Sequence, residues 1–378
     1  MDKIKTASAL TLILFINFIF SVKYLSRITP YYLLFSFVIV AFYCVLWKYQ
    51  MQLKNILFKF KYLDVWLVIG FIIISSFVFI KIPPESLNVD RWSVISSFWE
   101  SYFSGDYVYY AKSFDGNQPG PMPFYFFMAL PFYWMGELGY YSISGIIIFL
   151  LVMKYSSVSL QNQYFYLLTL FSFTFMLWEV ICRSNLFLNG SLILLSIIYL
   201  FQSLKDKKSN RFLWNGLFIG LMLSTRNVFI IPYIITFLFA LKQNKISIKN
   251  TFIIGLIAII TFGATFIPFI YNHFNDFKKM NPFIIQSNFL MPTKYSLLCV
   301  LFSTLTFFTL RKKSDVYFYS GFLLFITIIT YFVYHIIENN FHETFFNSGA
   351  DISYFILCIP FLLYFIIERE STDFPKSN

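Results

Sequence analysis

Long apolar runs separated by short polar segments make up most of the chain. The runs lie at 7–23, 31–47, 63–80, 122–138, 141–153, 163–181, 185–204, 212–224, 227–241, 250–270, 293–310, 316–335 and 351–368. A helix that crosses a bilayer needs about 20 mostly apolar residues, and many of these runs approach that length. The pattern therefore predicts an all-α, polytopic membrane helical bundle of about 11–13 transmembrane helices.

Composition supports the membrane class. Hydrophobic residues make up 58% of the chain and charged residues 12%, whereas soluble domains are typically about 25% charged. We expect a single integral membrane domain over residues 1–378. The first apolar run has a basic start but no small-x-small cleavage site, which indicates a retained helix rather than a signal peptide.

The net charge of +11 comes from Lys and Arg clusters between the apolar runs. The clusters lie at 48–61, 205–211, 242–249 and 311–313. Such clusters orient membrane helices with their basic loops inside, so nucleic-acid binding is excluded as the meaning of this charge. The pattern predicts a multi-pass protein of a bacterial inner (plasma) membrane with a cytoplasmic N-terminus. Loops 81–121, 271–292 and 336–350 are then extracytoplasmic.

One run conflicts with this topology. An odd number of crossings is required between the outer loop 81–121 and the inner loop 205–211, but four runs lie between them. The run 141–153 is the shortest of the four, which predicts that it is re-entrant or interfacial.

The outer loop 81–121 carries most of the candidate chemistry. Apolar residues within 92–103 recur at helical spacing, which predicts an amphipathic juxtamembrane helix on the outer surface. Asp90 stands at the start of this helix. The sequence "SGDY" favours a turn at its end, and the prolines of "QPGPMP" favour an extended segment before the next membrane helix.

This order of elements resembles the first outer loop of the C-type (GT-C superfold) integral-membrane glycosyltransferases. The likeness is greatest to the aminoarabinose transferase and protein O-mannosyltransferase branch, and it rests on Asp90, "RWSVISSFWESYF", "SGDY" and "QPGPMPFYFF". It covers 88–155, with weaker similarity at 212–232. There "GLFIGLMLSTRNVFIIP" resembles a hairpin that carries a basic residue, usually Lys in that family and Arg226 here. Asn185 falls near a later acidic position of the family and is given no role.

The resemblance implies an inverting glycosyltransferase. Its donor would be a polyprenyl-phosphate-linked sugar, and its acceptor a lipid, glycan or protein hydroxyl on the extracytoplasmic face. Asp90 would act as general base and take the hydroxyl proton. Arg226 would bind the donor phosphate, with Arg91 and Lys112 as alternatives. Besides these substrates and membrane lipids, no partner is implied. The reaction requires no cofactor, although a divalent metal is compatible with it.

Each candidate also has a structural alternative. Asp90 is a favoured helix-capping residue, and Arg226 could extend from a helix end towards the interface. Asp106 is a candidate substrate-binding residue, but Gly-Asp also favours turns. His273 and His342 could bind the acceptor, yet they lack the spacing of a metal site, so none is predicted.

Three other functions compete with glycosyl transfer. A transporter or flippase for lipid-linked glycans often has inverted repeats and broken helices at the membrane midplane, but no repeat is found and the ionisable residues collect in the outer loops. An envelope polysaccharide polymerase usually carries its long outer loop late in the chain, whereas here that loop comes early. A non-catalytic assembly subunit would use the loop as a partner surface.

Overall fold

The computed structural model describes residues 2–87, 89–204, 210–289 and 291–373, and within these ranges the regular elements are all helices. The α-helices are α1 (Asp2–Leu25), α2 (Tyr32–Lys48), α3 (Gln50–Leu57), α4 (Leu63–Lys81), α5 (Arg91–Ser104), α6 (Pro123–Trp134), α7 (Gly139–Tyr155), α8 (Leu160–Ser172), α9 (Thr174–Ile181), α10 (Leu186–Ser203), α11 (Asn210–Leu223), α12 (Ile230–Lys242), α13 (Ile248–Ala264), α14 (Ile267–Ile270), α15 (Phe274–Lys279), α16 (Pro282–Phe289), α17 (Thr293–Leu305), α18 (Lys313–Asn339), α19 (Phe341–Phe345) and α20 (Ile359–Asp373). Short 3₁₀ segments occur at Pro84–Ser86, Val108–Tyr110, Asn227–Phe229, Thr306–Phe308 and Ile352–Cys358. The predicted all-α polytopic fold is confirmed.

Six helices in the described ranges are long and apolar enough to cross a membrane. They are Asp2–Leu25, Leu63–Lys81, Leu186–Ser203, Ile248–Ile270, Lys313–Asn339 and Ile352–Ser371. Three sharply bent helix pairs, α2 with α3, α6 with α7 and α8 with α9, raise the number to nine if each pair is one span. The predicted 11–13 crossings are reached only if the shorter apolar helices Arg211–Leu223, Asn227–Lys242 and Thr293–Phe308 also cross.

The amphipathic helix α5 forms where the apolar spacing predicts it. Its apolar face does not lie free but packs onto α6. The Phe98 and Phe126 rings stack with their centroids 3.6 Å apart, and Trp99 Nε1 donates a hydrogen bond to the Phe126 carbonyl at 3.2 Å. Residues Ile95, Phe98 and Trp99 are buried by this contact, so α5 is fixed to the membrane helices beneath it.

Helix α7 runs antiparallel to α4. Tyr140 and Ser76 are hydrogen-bonded at one end, 3.0 Å apart, and Lys154 pairs with Asp64 at the other, at 2.6 Å. Helix α4 has the length of a full span. The shorter α6 meets α7 at a bend of 117°, so the two helices form either a broken span or a re-entrant loop. That the run 141–153 is itself re-entrant or interfacial stays a prediction.

Helices α11 and α13 approach each other closely through two glycines. A Cβ atom on Gly220 would lie 2.5 Å from the Ala258 carbonyl oxygen, and one on Gly216 would lie 2.6 Å from the Ile257 side chain. Residues four apart share one helix face. This is the small-xxx-small arrangement that lets membrane helices pack backbone to backbone.

Charged residues distinguish one end of the helical bundle from the other. At one end, which we call the basic end, Lys5 pairs with Asp315 at 2.6 Å and Lys313 with Glu368 at 3.3 Å. Asp315 and Lys313 belong to the first turns of α18. The opposite end of the same helix carries Tyr331, whose hydroxyl accepts a hydrogen bond from the Asp351 backbone at 3.2 Å. Asp351 and its partner Arg91 lie near this second end.

The glycine contact gives a test of the packing. We expect Gly220→Ala to lower the unfolding temperature, by an amount equivalent to about 1–3 kcal/mol, because the added methyl meets a backbone carbonyl that cannot move alone. Gly255→Ala, on α13, is the matched control, since no atom lies within 4 Å of the new methyl. It should leave stability unchanged or raise it by up to about 1 kcal/mol. Thermal unfolding in detergent, followed by tryptophan fluorescence, measures both, and equal effects would contradict the close approach.

Candidate functional site

Asp90 stands at the N-cap position of α5, but its side chain makes no capping hydrogen bond. Its Oδ2 atom instead accepts hydrogen bonds from Ser113 Oγ at 2.7 Å and Asn117 Nδ2 at 2.8 Å. Ser113 and Asn117 belong to one tight turn, in which Ser113 N donates to Asn117 O at 2.8 Å. The loop after α5 therefore folds back and holds the Asp90 carboxylate. The Asp90 side chain therefore does not cap α5.

The second carboxylate oxygen of Asp90 is differently placed. Oδ1 has no hydrogen-bond or ion-pair partner among the described residues. Asp115, from the same turn, is a further acid near Asp90. Burial and the Asp90 charge raise the pKa of Asp115, as expected for two carboxyl groups that face each other. One oxygen of Asp90 is thus anchored and the other is available.

Arg91 forms an ion pair within the protein. Its Nη2 atom pairs with Asp351 Oδ2 and donates to Ser353 Oγ at 2.6 Å. Burial acts to lower the pKa of Arg91, but Asp351 and the polar groups around it raise that pKa overall. Burial acts to raise the pKa of Asp351, but Arg91 and Ser353 keep it below its usual value. Both groups are therefore charged at neutral pH, and a phosphate would have to compete with Asp351 for Arg91.

Arg226 has no such partner. It follows α11 in an extended conformation, with φ −152° and ψ 133°, and only 9% of the residue is exposed. Its guanidinium carbon lies 5.6 Å from the Tyr125 ring centroid and 5.7 Å from that of Tyr354. Nε is buried without a hydrogen bond, and no carboxylate of the described residues lies within salt-bridge distance. The positive charge is held by two ring faces but is not neutralised.

The two arginines meet at one aromatic ring. Tyr354 has the Arg91 guanidinium carbon at 5.2 Å and the Arg226 guanidinium carbon at 5.7 Å from its centroid, so the two carbons lie within about 11 Å of each other. The structure thus brings Arg91 and Arg226 into one region, which we call the arginine site, and Asp90 directly precedes Arg91 in the chain. The Tyr125 hydroxyl accepts a hydrogen bond from Asn185 Nδ2 at 2.8 Å.

The other predicted residues do not converge there. Asp106 lies beyond the far end of α5, roughly 20 Å along the helix from Asp90, and is exposed. Lys112 is exposed, with no side-chain partner among the described residues. His273 contacts the Tyr107 ring at 5.6 Å and Asp276 at 3.4 Å. His342 is exposed beside Phe346, with the ring centroids 5.5 Å apart. In the described ranges no group of three His, Cys, Asp or Glu side chains is arranged to hold a metal.

Sequence reasoning missed the residues that assemble the site from a distance. Tyr125, Tyr354, Ser353 and Asp351 carry no motif that marks them as site residues. Glu179 lies in an apolar run, where it is fully buried and its Oε1 accepts a hydrogen bond from Phe187 N at 2.8 Å. The single available signal was the position of Asp351 at the start of an apolar run.

No family model, no curated protein and no solved structure matches this chain. What the protein does is therefore inferred from the contacts just described.

The contrast between the two arginines predicts that their loss affects stability by different amounts. Arg91→Met should lower stability by about 1–3 kcal/mol, because it leaves Asp351 without its counter-ion. Arg226→Met should cost no more than about 1 kcal/mol and can stabilise, because it removes an unneutralised buried charge and keeps an apolar chain between the rings. Thermal unfolding in the same detergent compares the two variants. An Arg226→Met loss as large as that of Arg91→Met would identify Arg226 as a structural residue.

Proposed function

We propose that the protein is an integral-membrane glycosyltransferase. It moves a sugar from a polyprenyl-phosphate-linked donor to an acceptor hydroxyl. The observation that carries this proposal is Arg226, a buried guanidinium without a carboxylate partner that shares the Tyr354 ring with Arg91, the neighbour of Asp90. The candidate base Asp90 and this guanidinium both stand at the ends of helices.

The proposed step is a single displacement. The acceptor oxygen attacks the anomeric carbon, and the bond from that carbon to the phosphate oxygen breaks. Asp90 Oδ1 takes the hydroxyl proton, while Ser113 and Asn117 fix the other oxygen of the same carboxylate. The bonding electrons leave with the phosphate, whose charge Arg226 stabilises. Attack from the face opposite the phosphate inverts the configuration at the anomeric carbon.

The position of the site suits a lipid-linked donor. Helix α5 packs its apolar face on α6, so the carboxylate at its start stays close to the membrane helices. The basic end lies at the other end of α18. If basic clusters face the cytoplasm, the arginine site opens on the extracytoplasmic side. The lipid tail then remains in the bilayer while the sugar phosphate reaches Arg226.

A flippase or transporter is the second candidate. The three bent helix pairs, with angles of 72°, 117° and 66°, are the kind of broken span that transporters use to bind substrates. Asp90 and Arg226, however, stand at helix termini. They are not placed within the bend of one span.

The reaction can be tested with purified protein in lipid nanodiscs and a panel of polyprenyl-phosphate sugars. Release of polyprenyl phosphate and formation of the glycosylated acceptor are measured. We expect Asp90→Asn to lower kcat by about 10²–10⁴-fold, with donor binding retained, because the base is lost. Arg226→Met should weaken donor binding by about 10–100-fold, since a charge-assisted phosphate contact is removed.

Lys279→Ala, in α15, is the matched control, because it removes an exposed cation of a different loop. It should leave both constants unchanged. Turnover by Asp90→Asn equal to that of the unaltered protein would overturn the proposal. Transbilayer movement of the donor lipid without any product would identify the flippase instead.

A further inference from the structure

Arg91 has two carboxylates within electrostatic reach. One is Asp90, the residue before it, and the other is Asp351, 260 positions later in the chain. Among the described residues, the guanidinium bonds Asp351 and the nearby Ser353. Asp90 receives its hydrogen bonds from Ser113 and Asn117 instead. The sequence neighbours Asp90 and Arg91 therefore do not pair, although Asp90 is near enough to contribute to the raised pKa of Arg91.

We propose that Asp351 is a positioning residue, which holds the Arg91 guanidinium away from Asp90 and so keeps Asp90 Oδ1 free to accept a proton. The catalytic meaning of this arrangement rests on the proposed function. The arrangement itself can be measured without any substrate.

The geometry explains why a separate counter-ion is needed. A guanidinium and a carboxylate readily form a two-pronged ion pair. Such a pair on Asp90 would cover Oδ1 and favour the charged form of the carboxylate, which makes it a weaker base. Asp351 prevents this because it is itself fixed. Its Oδ1 accepts a hydrogen bond from Ser353 N at 2.8 Å, and its own N–H donates to the Tyr331 hydroxyl.

The surroundings increase the effect of losing Asp351. The groups that face Asp351 are Arg91 from α5, Lys23 and Tyr24 from α1, Cys182 from the turn after α9, and Tyr331 from α18. Lys23 is only 2% exposed and forms no ion pair among the described residues. Without Asp351, two buried cations would repel each other. Asp90, faced by Arg91 and Asp115, is the carboxylate that Arg91 can then approach.

The test follows the protonation of Asp90 directly. The full-length protein in detergent is titrated with acid while the carboxyl C=O band is recorded by infrared difference spectroscopy. The Asp90 band is assigned by its loss in Asp90→Asn. We expect Asp351→Asn to shift the midpoint of this band to lower pH by about 1 unit or more. Asp351→Glu, which keeps the counter-ion, should leave it unchanged.

Arg91→Gln provides the decisive control. In that background Asp351→Asn should no longer shift the Asp90 midpoint, because the guanidinium responsible is absent. Ser353→Ala removes one hydrogen bond to Arg91 and should give a smaller shift in the same direction, which also keeps the test open if Asp351→Asn does not fold. An unshifted midpoint in folded Asp351→Asn, or a shift that persists without Arg91, overturns the proposal. So does a Ser353→Ala midpoint that is unchanged or raised.

Failure of this inference is distinguishable from failure of the proposed function. The infrared midpoint requires no donor or acceptor, so a protein without transferase activity leaves the measurement intact. In an active enzyme, the acid limb of kcat/KM should shift to lower pH in Asp351→Asn, while the donor KM stays unchanged. A purely structural role of Asp351 would lower the amount of active protein without moving that limb.

Discussion

The arrangement of the site depends on the contacts of one buried side chain, that of Arg183. A membrane interior offers no water to backbone groups that lack a helical partner, so each helix that stops short must have its carbonyls satisfied by the protein. The fully buried Arg183 side chain donates to the carbonyls of Phe79 and Ile82 at 3.2 and 2.8 Å and pairs with Glu137 at 3.3 Å. One guanidinium thereby joins the end of α4, the bend between α6 and α7, and the break between α9 and α10. These breaks allow α6 to meet α7 at a sharp bend and present Tyr125, and they leave Asn185 at the position where it binds the Tyr125 hydroxyl.

From Tyr125 the contacts continue to Arg226 and then, through Tyr354, to Arg91. Arg226 lies against the Tyr125 ring and against Tyr354, which also contacts Arg91. Residues from the middle and the end of the chain therefore converge on a loop near its start. The two arginines share an aromatic neighbour but differ in charge balance. Asp351 neutralises Arg91 within the protein, whereas no carboxylate of the described residues neutralises Arg226.

Much of the helical framework could be predicted from the sequence, because apolar run length responds directly to the bilayer. The run 63–80 became Leu63–Lys81, and the helix expected at 92–103 became Arg91–Ser104. The local part of the site, Asp90 at the start of that helix, followed from the same pattern. The pairing of Arg91 with Asp351 did not, since hydrophobic periodicity carries no information about contacts 260 residues apart. The sharp bend between α6 and α7 was not predicted for a related reason: both runs are apolar, and their length carries no information about the angle between them.

The unneutralised charge of Arg226 is the strongest physical argument that this region binds something. A guanidinium that is nine-tenths buried without a carboxylate costs free energy, and the two ring faces offset only about 1–2 kcal/mol of it. An apolar side chain of similar length between Tyr125 and Tyr354 would avoid that cost. We therefore propose that an anion makes the arrangement favourable, because the guanidinium has already lost most of its water and its direction is already set by the rings. Such a site would stabilise developing negative charge without reorganising, which is what the proposed departure of a phosphate from a sugar requires.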